Sequence, residues 1–122
     1  QGVMPYRYSY DTENAPRLQQ IAAISKVALA GTPLENYFPT WGIQAFASLD
    51  ILTIALRRNA EMGKAPTADN LAAALATIKD VDLGGYFGTN ISVENNKVGT
   101  GRVYQYSAES RLFTPTSDWL TV

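Results

Sequence analysis

The 122-residue sequence contains no cysteine and no histidine. Without cysteine there is no disulfide, no thiolate nucleophile and no Cys-ligated zinc or iron–sulfur cluster. Without histidine the usual general base near neutral pH and the commonest transition-metal ligand are also missing. Catalysis would have to rest on carboxylates, Lys, Tyr or a Ser–Lys pair, and the expectation is a protein that is not an enzyme. Charge is scarce too: 10 Lys and Arg oppose 11 Asp and Glu, a net of −1. Such a balance lacks the basic field that releases counterions from phosphates, so nucleic acid is not an expected partner. There is no polybasic run to hold an anionic membrane surface. Long apolar runs are absent as well. The longest candidate, Ile43 to Leu56, is interrupted by Gln44, Ser48, Asp50 and Thr53, short of the roughly 18 residues that span a bilayer.

What is present is a globular composition, 46% hydrophobic, enough for one domain or a piece of a larger one. The opening Gln1-Gly2-Val3-Met4 has neither a basic nor an apolar leader region and does not begin with Met. The expectation is therefore a processed chain or one cut from something longer.

The hydrophobic pattern orders the elements β-α-α-α-β-β, a mixed α and β arrangement without a second domain. Val3, Tyr6, Tyr8 and Tyr10 alternate loosely, with Pro5 favouring an edge strand. Asn14 is the expected N-cap of the first helix, with Pro16 in its first turn, a stripe of Leu18, Ile21, Ala22, Val27 and Ala28, and Gly31 as the stop. The strongest helix runs from Thr40 to about Gly63 and is apolar on more than one face, through Ile43, Phe46, Leu49, Leu52, Ile54 and Leu56. It demands more packing surface than two short neighbours offer. Thr67 caps a third helix carrying Leu71, Ala74, Leu75 and Ile78, closed by Lys79 and Asp80. Strand texture follows at Tyr86, Phe87, Ile91 and Val93, and again at Val103, Tyr104 and Tyr106, with Asn95-Asn96-Lys97 as the hairpin connection and Gly99 and Gly101 as bends. The end, Leu112 to Leu120, reads as a polar tail with anchors Phe113 and Trp119.

Few residue sets suggest chemistry. Asp80, Asp82, Glu94 and Asn95 lack the spacing of a calcium loop and suit turns instead. Gly84-Gly85 and Gly88 follow a helix and open none, so they read as a turn rather than a phosphate cradle. Neither Ser25-Lys26 nor Ser92 with Lys97 makes a Ser–Lys dyad. No metal or cofactor is expected. Tyr6, Tyr8, Tyr10, Trp41, Phe46, Tyr86, Phe87, Tyr104 and Tyr106 supply either core or an apolar pocket with polar tips. Trp41-Gly42 stands out, because a helix start offers free N–H groups suited to a carboxylate and Gly42 lowers helix propensity there.

Several runs, in order, resemble type I solute-binding proteins of ABC importers, the leucine/isoleucine/valine-binding family. Phe46-Ala47-Ser48-Leu49 with Ala55-Leu56 is similar to the family's Tyr-Asp-Ala helix, and Pro66 to Leu71 with Ala73-Ala74-Leu75 to a later one. Leu83-Gly84-Gly85 with Ile91, Val103 to Tyr106, and Thr116-Ser117-Asp118-Trp119 resemble its closing strands and end. The resemblance spans nearly the whole chain. It implies the C-terminal part of a two-lobe α/β fold, one partial domain over residues 1–122, in which 1–10 and 102–110 are hinge or sheet strands. It also implies periplasmic or extracellular capture of a small molecule by lobe closure, with delivery to a membrane permease. The missing N-terminal part of the protein, or a second copy, would complete the fold, and the long helix would lie beside a parallel sheet. An alternative implication is a sensory ligand-binding domain of the same fold. Phe46 and Ala47 stand where the family has Tyr and Asp, so the expected ligand is an amino acid or an aromatic or other apolar-bodied carboxylate. Trp41, Gly42, Gln44 and Phe46 are the expected pocket residues.

Overall fold

The computed structural model describes residues 2–4, 6–35, 40–88, 91–93, 97–98 and 100–121, with backbone alone at 40, 41, 97 and 98. Three helices and an antiparallel sheet make a mixed α and β fold: β1 (Gly2–Met4), α1 (Pro16–Ala28), α2 (Thr40–Glu61), α3 (Ala68–Leu75), β2 (Ile91–Ser92), β3 (Lys97–Val98), β4 (Thr100–Ser107), β5 (Leu112–Pro115) and β6 (Leu120–Thr121). Among the described residues no helix is long and apolar enough to cross a membrane.

Local chemistry explains most of the boundaries. Pro16 opens α1, where a missing N–H is harmless. The cap is Ala15, which makes no side-chain capping bond, rather than Asn14, because Asn14 takes a left-handed φ of 53° in the preceding turn. α1 also ends three residues before Gly31, and Val27 is 80% exposed, so its buried face narrows to Leu18 and Ile21. The Thr67 hydroxyl accepts the Asn70 amide at 3.3 Å as the cap of α3, which closes at Ala76, before Lys79 and Asp80.

β4 is the central strand. It pairs antiparallel with β1 (Val3 opposite Val103), with β5 (Tyr106 opposite Phe113) and with β6 (Gly101 opposite Leu120). β5 and β6 lie in the segment expected to be a polar tail. Their residues are mostly exposed, so no alternating apolar face marks them. Tyr10 protects the outer edge of β5. Its hydroxyl accepts the Phe113 amide at 2.8 Å and donates to the Phe113 carbonyl at 3.0 Å, while Pro115 has no amide to offer. The expected strand through Tyr86, Phe87, Ile91 and Val93 shrinks to β2, with single bridges from Phe87 to Tyr6 and from Ile91 to Val81. The Asn95-Asn96 connection and Gly99 lie outside the described residues, though Lys97 belongs to β3, opposite Ser92.

The apolar core belongs to the helical layer. Ala15, Leu18, Ile21, Ile43, Ala47, Leu83, Tyr86 and Ile91 form one cluster, and Ala55, Ala74 and Ile78 another beneath α3. Tyr104 of β4 is equally buried yet lies outside both clusters, among tyrosines and charged groups.

Candidate functional site

An apolar groove of about 460 Å³ lies between α2, the end of α3 and β2. Ala47, Ile51, Leu52, Leu75, Phe87, Ile91 and Val93 line it, with Gln44, Ser48 and Ser92 as its polar side chains. Two of these already have partners: the Ser48 hydroxyl donates to the Gln44 carbonyl at 2.9 Å, and the Ser92 hydroxyl accepts the Asp80 amide at 3.1 Å. Gln44 is exposed at the rim and is the long polar side chain available to orient a ligand. The α2 surface beside the groove continues through Leu49, Leu52 and Leu56, all between 40% and 58% exposed. From Ala45 to Leu56 the one charged residue is Asp50, which points the other way, into the protein.

The expected pocket residues separate in space. Gln44 lines the groove. Phe46 is partly buried and packs against the core formed by α1 and α2. Gly42 is buried in the first turn of α2, and the Trp41 side chain lies outside the described residues. Sequence reasoning missed the contributions of α3 and β2, because Leu75, Ile91 and Val93 are separated from Gln44 by a long stretch of chain. Their one signal is apolar character within short elements.

Two polar constellations lie outside the groove, and no spacing in the sequence marks either. In the first, Arg17 donates from Nε and Nη2 to the two oxygens of Asp50 at 2.9 and 2.6 Å, and the Tyr86 hydroxyl donates to the same carboxylate at 2.9 Å. Burial by itself would push the Asp50 carboxyl up. The bonds from Arg17 and Tyr86, with the guanidinium charge, outweigh it and hold the group below its ordinary range. Burial first, then the bond to Asp50, pushes the Tyr86 phenol well above its usual value. The second constellation centres on Asp11, which accepts from Arg7 Nη1 at 3.0 Å, Arg102 Nη1 at 3.2 Å and the Tyr104 hydroxyl at 2.5 Å. Burial and the Asp11 carboxylate raise the Tyr104 phenol in the same way.

The Gly-rich turn serves structure. Asp82 Oδ1 accepts the Gly84 and Gly85 amides at 2.9 and 3.0 Å. Both glycines hold φ above 80°, and a Cβ on Gly85 would sit 2.7 Å from the Asn14 carbonyl oxygen. Among the described residues no group of three or more acidic side chains could hold a metal ion. The groove's lining suits an apolar-bodied molecule beside a rim amide, or a protein surface laid along α2. No protein family, no curated protein and no solved structure matches the chain.

Proposed function

We propose that this chain is the C-terminal part of a type I solute-binding protein of an ABC importer, which captures an amino acid or an aromatic or apolar carboxylate outside the cytoplasm. The observation that carries the reading is the open row Leu49, Leu52 and Leu56 beside the groove. A helix this apolar on its outer face is suited to lying against a sheet supplied by the rest of such a receptor, which buries parallel strands between helices. The pairing of β1 with β4 also suits chain segments that pass between two lobes. The ordered resemblance in sequence supports the same reading, and the permease is its expected partner.

The test is a thermal-shift panel of amino acids and aromatic acids on the full-length protein that contains this chain. Stabilisation by one class, lost in Gln44→Ala or Trp41→Ala while both variants keep the parent's unliganded melting temperature, supports the assignment. Shifts that neither substitution alters remove these residues from the pocket. The absence of stabilisation by any member of the panel counts against the capture function.

A further inference from the structure

Apart from the ring contacts of Tyr8 with Tyr104 and Phe113 and the approach of Gly88 to Thr100, the helical layer and the sheet meet through charge rather than through a common apolar core. Among the described residues the two hydrophobic clusters draw on α1, α2, α3, the segment after α3 and β2, and neither contains a residue of β1, β4, β5 or β6. The junction is a relay. The Arg7 amide donates to the Tyr86 carbonyl at 2.9 Å and Arg7 Nε to the Gly85 carbonyl at 2.7 Å, which fixes Arg7 to the helical layer. Arg7 then pairs with Asp11, Asp11 with Arg102 and Tyr104 of β4, and Arg102 Nε donates to the Ser117 carbonyl at 2.8 Å. The three charged side chains are only 9 to 16% exposed, so each depends on the others for solvation.

We infer that the Asp11 relay is the joint between two units of this chain, and that it sets how independently the sheet and the helical layer open. Interdigitated apolar cores resist sliding and make one cooperative body. A few directional polar bonds carried by a loop can break and re-form at another angle, as hinge segments do. The inference deepens the capture reading and rests on it for its use in lobe closure; the coupling itself is a property of this chain without ligand.

The test is hydrogen exchange on the 122-residue chain, comparing the parent with Asp11→Asn. Loss of charge-assisted bonds at the joint is expected to speed exchange in Gly2–Met4 and in Arg102–Tyr104 about tenfold, with α1 and α2 unchanged. Asp50→Asn, which breaks an ion pair inside the helical layer, is the control and is expected to give the reverse pattern. Equal acceleration in both units, or none in either, overturns the inference. If Asp11→Asn does not fold, Tyr104→Phe, which keeps both ion pairs, decides by the same two criteria. Because no ligand enters the measurement, failure of ligand capture leaves this result standing, and failure here leaves the thermal-shift panel to judge capture.

Discussion

Tyr86, at the foot of the glycine turn, donates its hydroxyl to Asp50 in the middle of α2 across 2.9 Å. Arg17 of α1 grips the same carboxylate with two bonds. One acidic group thereby ties together three segments that surround the main apolar cluster. Its geometry makes it a structural clasp, facing away from the groove that α2 presents on its other side.

Replacing Asp50 by Asn should destabilise the chain by about 1–3 kcal/mol, since Arg17 loses its charged acceptor in a half-buried place. The carboxyl sits below its ordinary range when folded, so its contribution is present above the unfolded value near pH 4 and fades as pH falls through the folded one. Urea midpoints measured from pH 6 down to pH 2 should therefore decline less steeply in the variant than in the parent.

The two buried phenols predict the opposite limb. Tyr86 and Tyr104 are both held above the ordinary tyrosine value, mainly by burial and then by the carboxylates they face. Their contribution is full below about pH 10 and is lost as pH rises beyond it, where the unfolded chain ionises first. Tyr104→Phe should lower stability near neutrality by roughly 1–2 kcal/mol, having left Asp11 one partner short. The same variant should lose less of its remaining stability between pH 9 and 11 than the parent does, read from thermal midpoints across that range.

Local signals in the sequence were the legible ones. Thr67 before an alanine-rich stripe, Pro16 at a helix start and the Gly84-Gly85 turn each depend on neighbours a few residues away, and the structure places all three as the residue types require. Asn14 misled because its preference for a left-handed turn competed with its preference for a cap, and the turn won. β5 escaped because an edge strand held by Tyr10 and by β4 needs no apolar face of its own. In the groove only Gln44 could be placed, from its position near the start of α2; the opposite wall comes from Ile91 and Val93. Asp11 and Tyr104 stand 93 residues apart, as distant as Tyr86 and Asp50 are unremarkable in spacing, and no periodicity joins such pairs.

The exposed leucine row should behave as surface in the isolated chain. Leu52→Lys is expected to change stability by less than about 0.5 kcal/mol, because Leu52 is exposed and belongs to neither apolar cluster. Light scattering should show reduced self-association, since the substitution interrupts an uncharged apolar strip. In the full-length protein the same change should cost far more, roughly 2 kcal/mol or above, if that row is buried against the rest of the receptor. Equal and negligible effects in both settings would mean that nothing covers the row.

The tightest backbone approach makes the last prediction. Gly88, just after Phe87, is buried against Thr100 at the start of β4, and a Cβ placed on it would overlap the threonine hydroxyl and lie 2.6 Å from its Cβ. Thr100 is itself buried, and rotating its side chain moves the hydroxyl but not the Cβ that stands 2.6 Å from the added carbon. Gly88→Ala must therefore push two chain segments apart, which by analogy with overpacked cores costs about 1–3 kcal/mol. Thr100→Gly in the same background removes the obstructing side chain and should recover part of the loss, despite the lower strand propensity of glycine. Thr100→Ser keeps both the hydroxyl and the Cβ and should recover none. Chemical denaturation of the three variants distinguishes the cases: if Gly88→Ala matches the parent, the two segments are not in contact in solution.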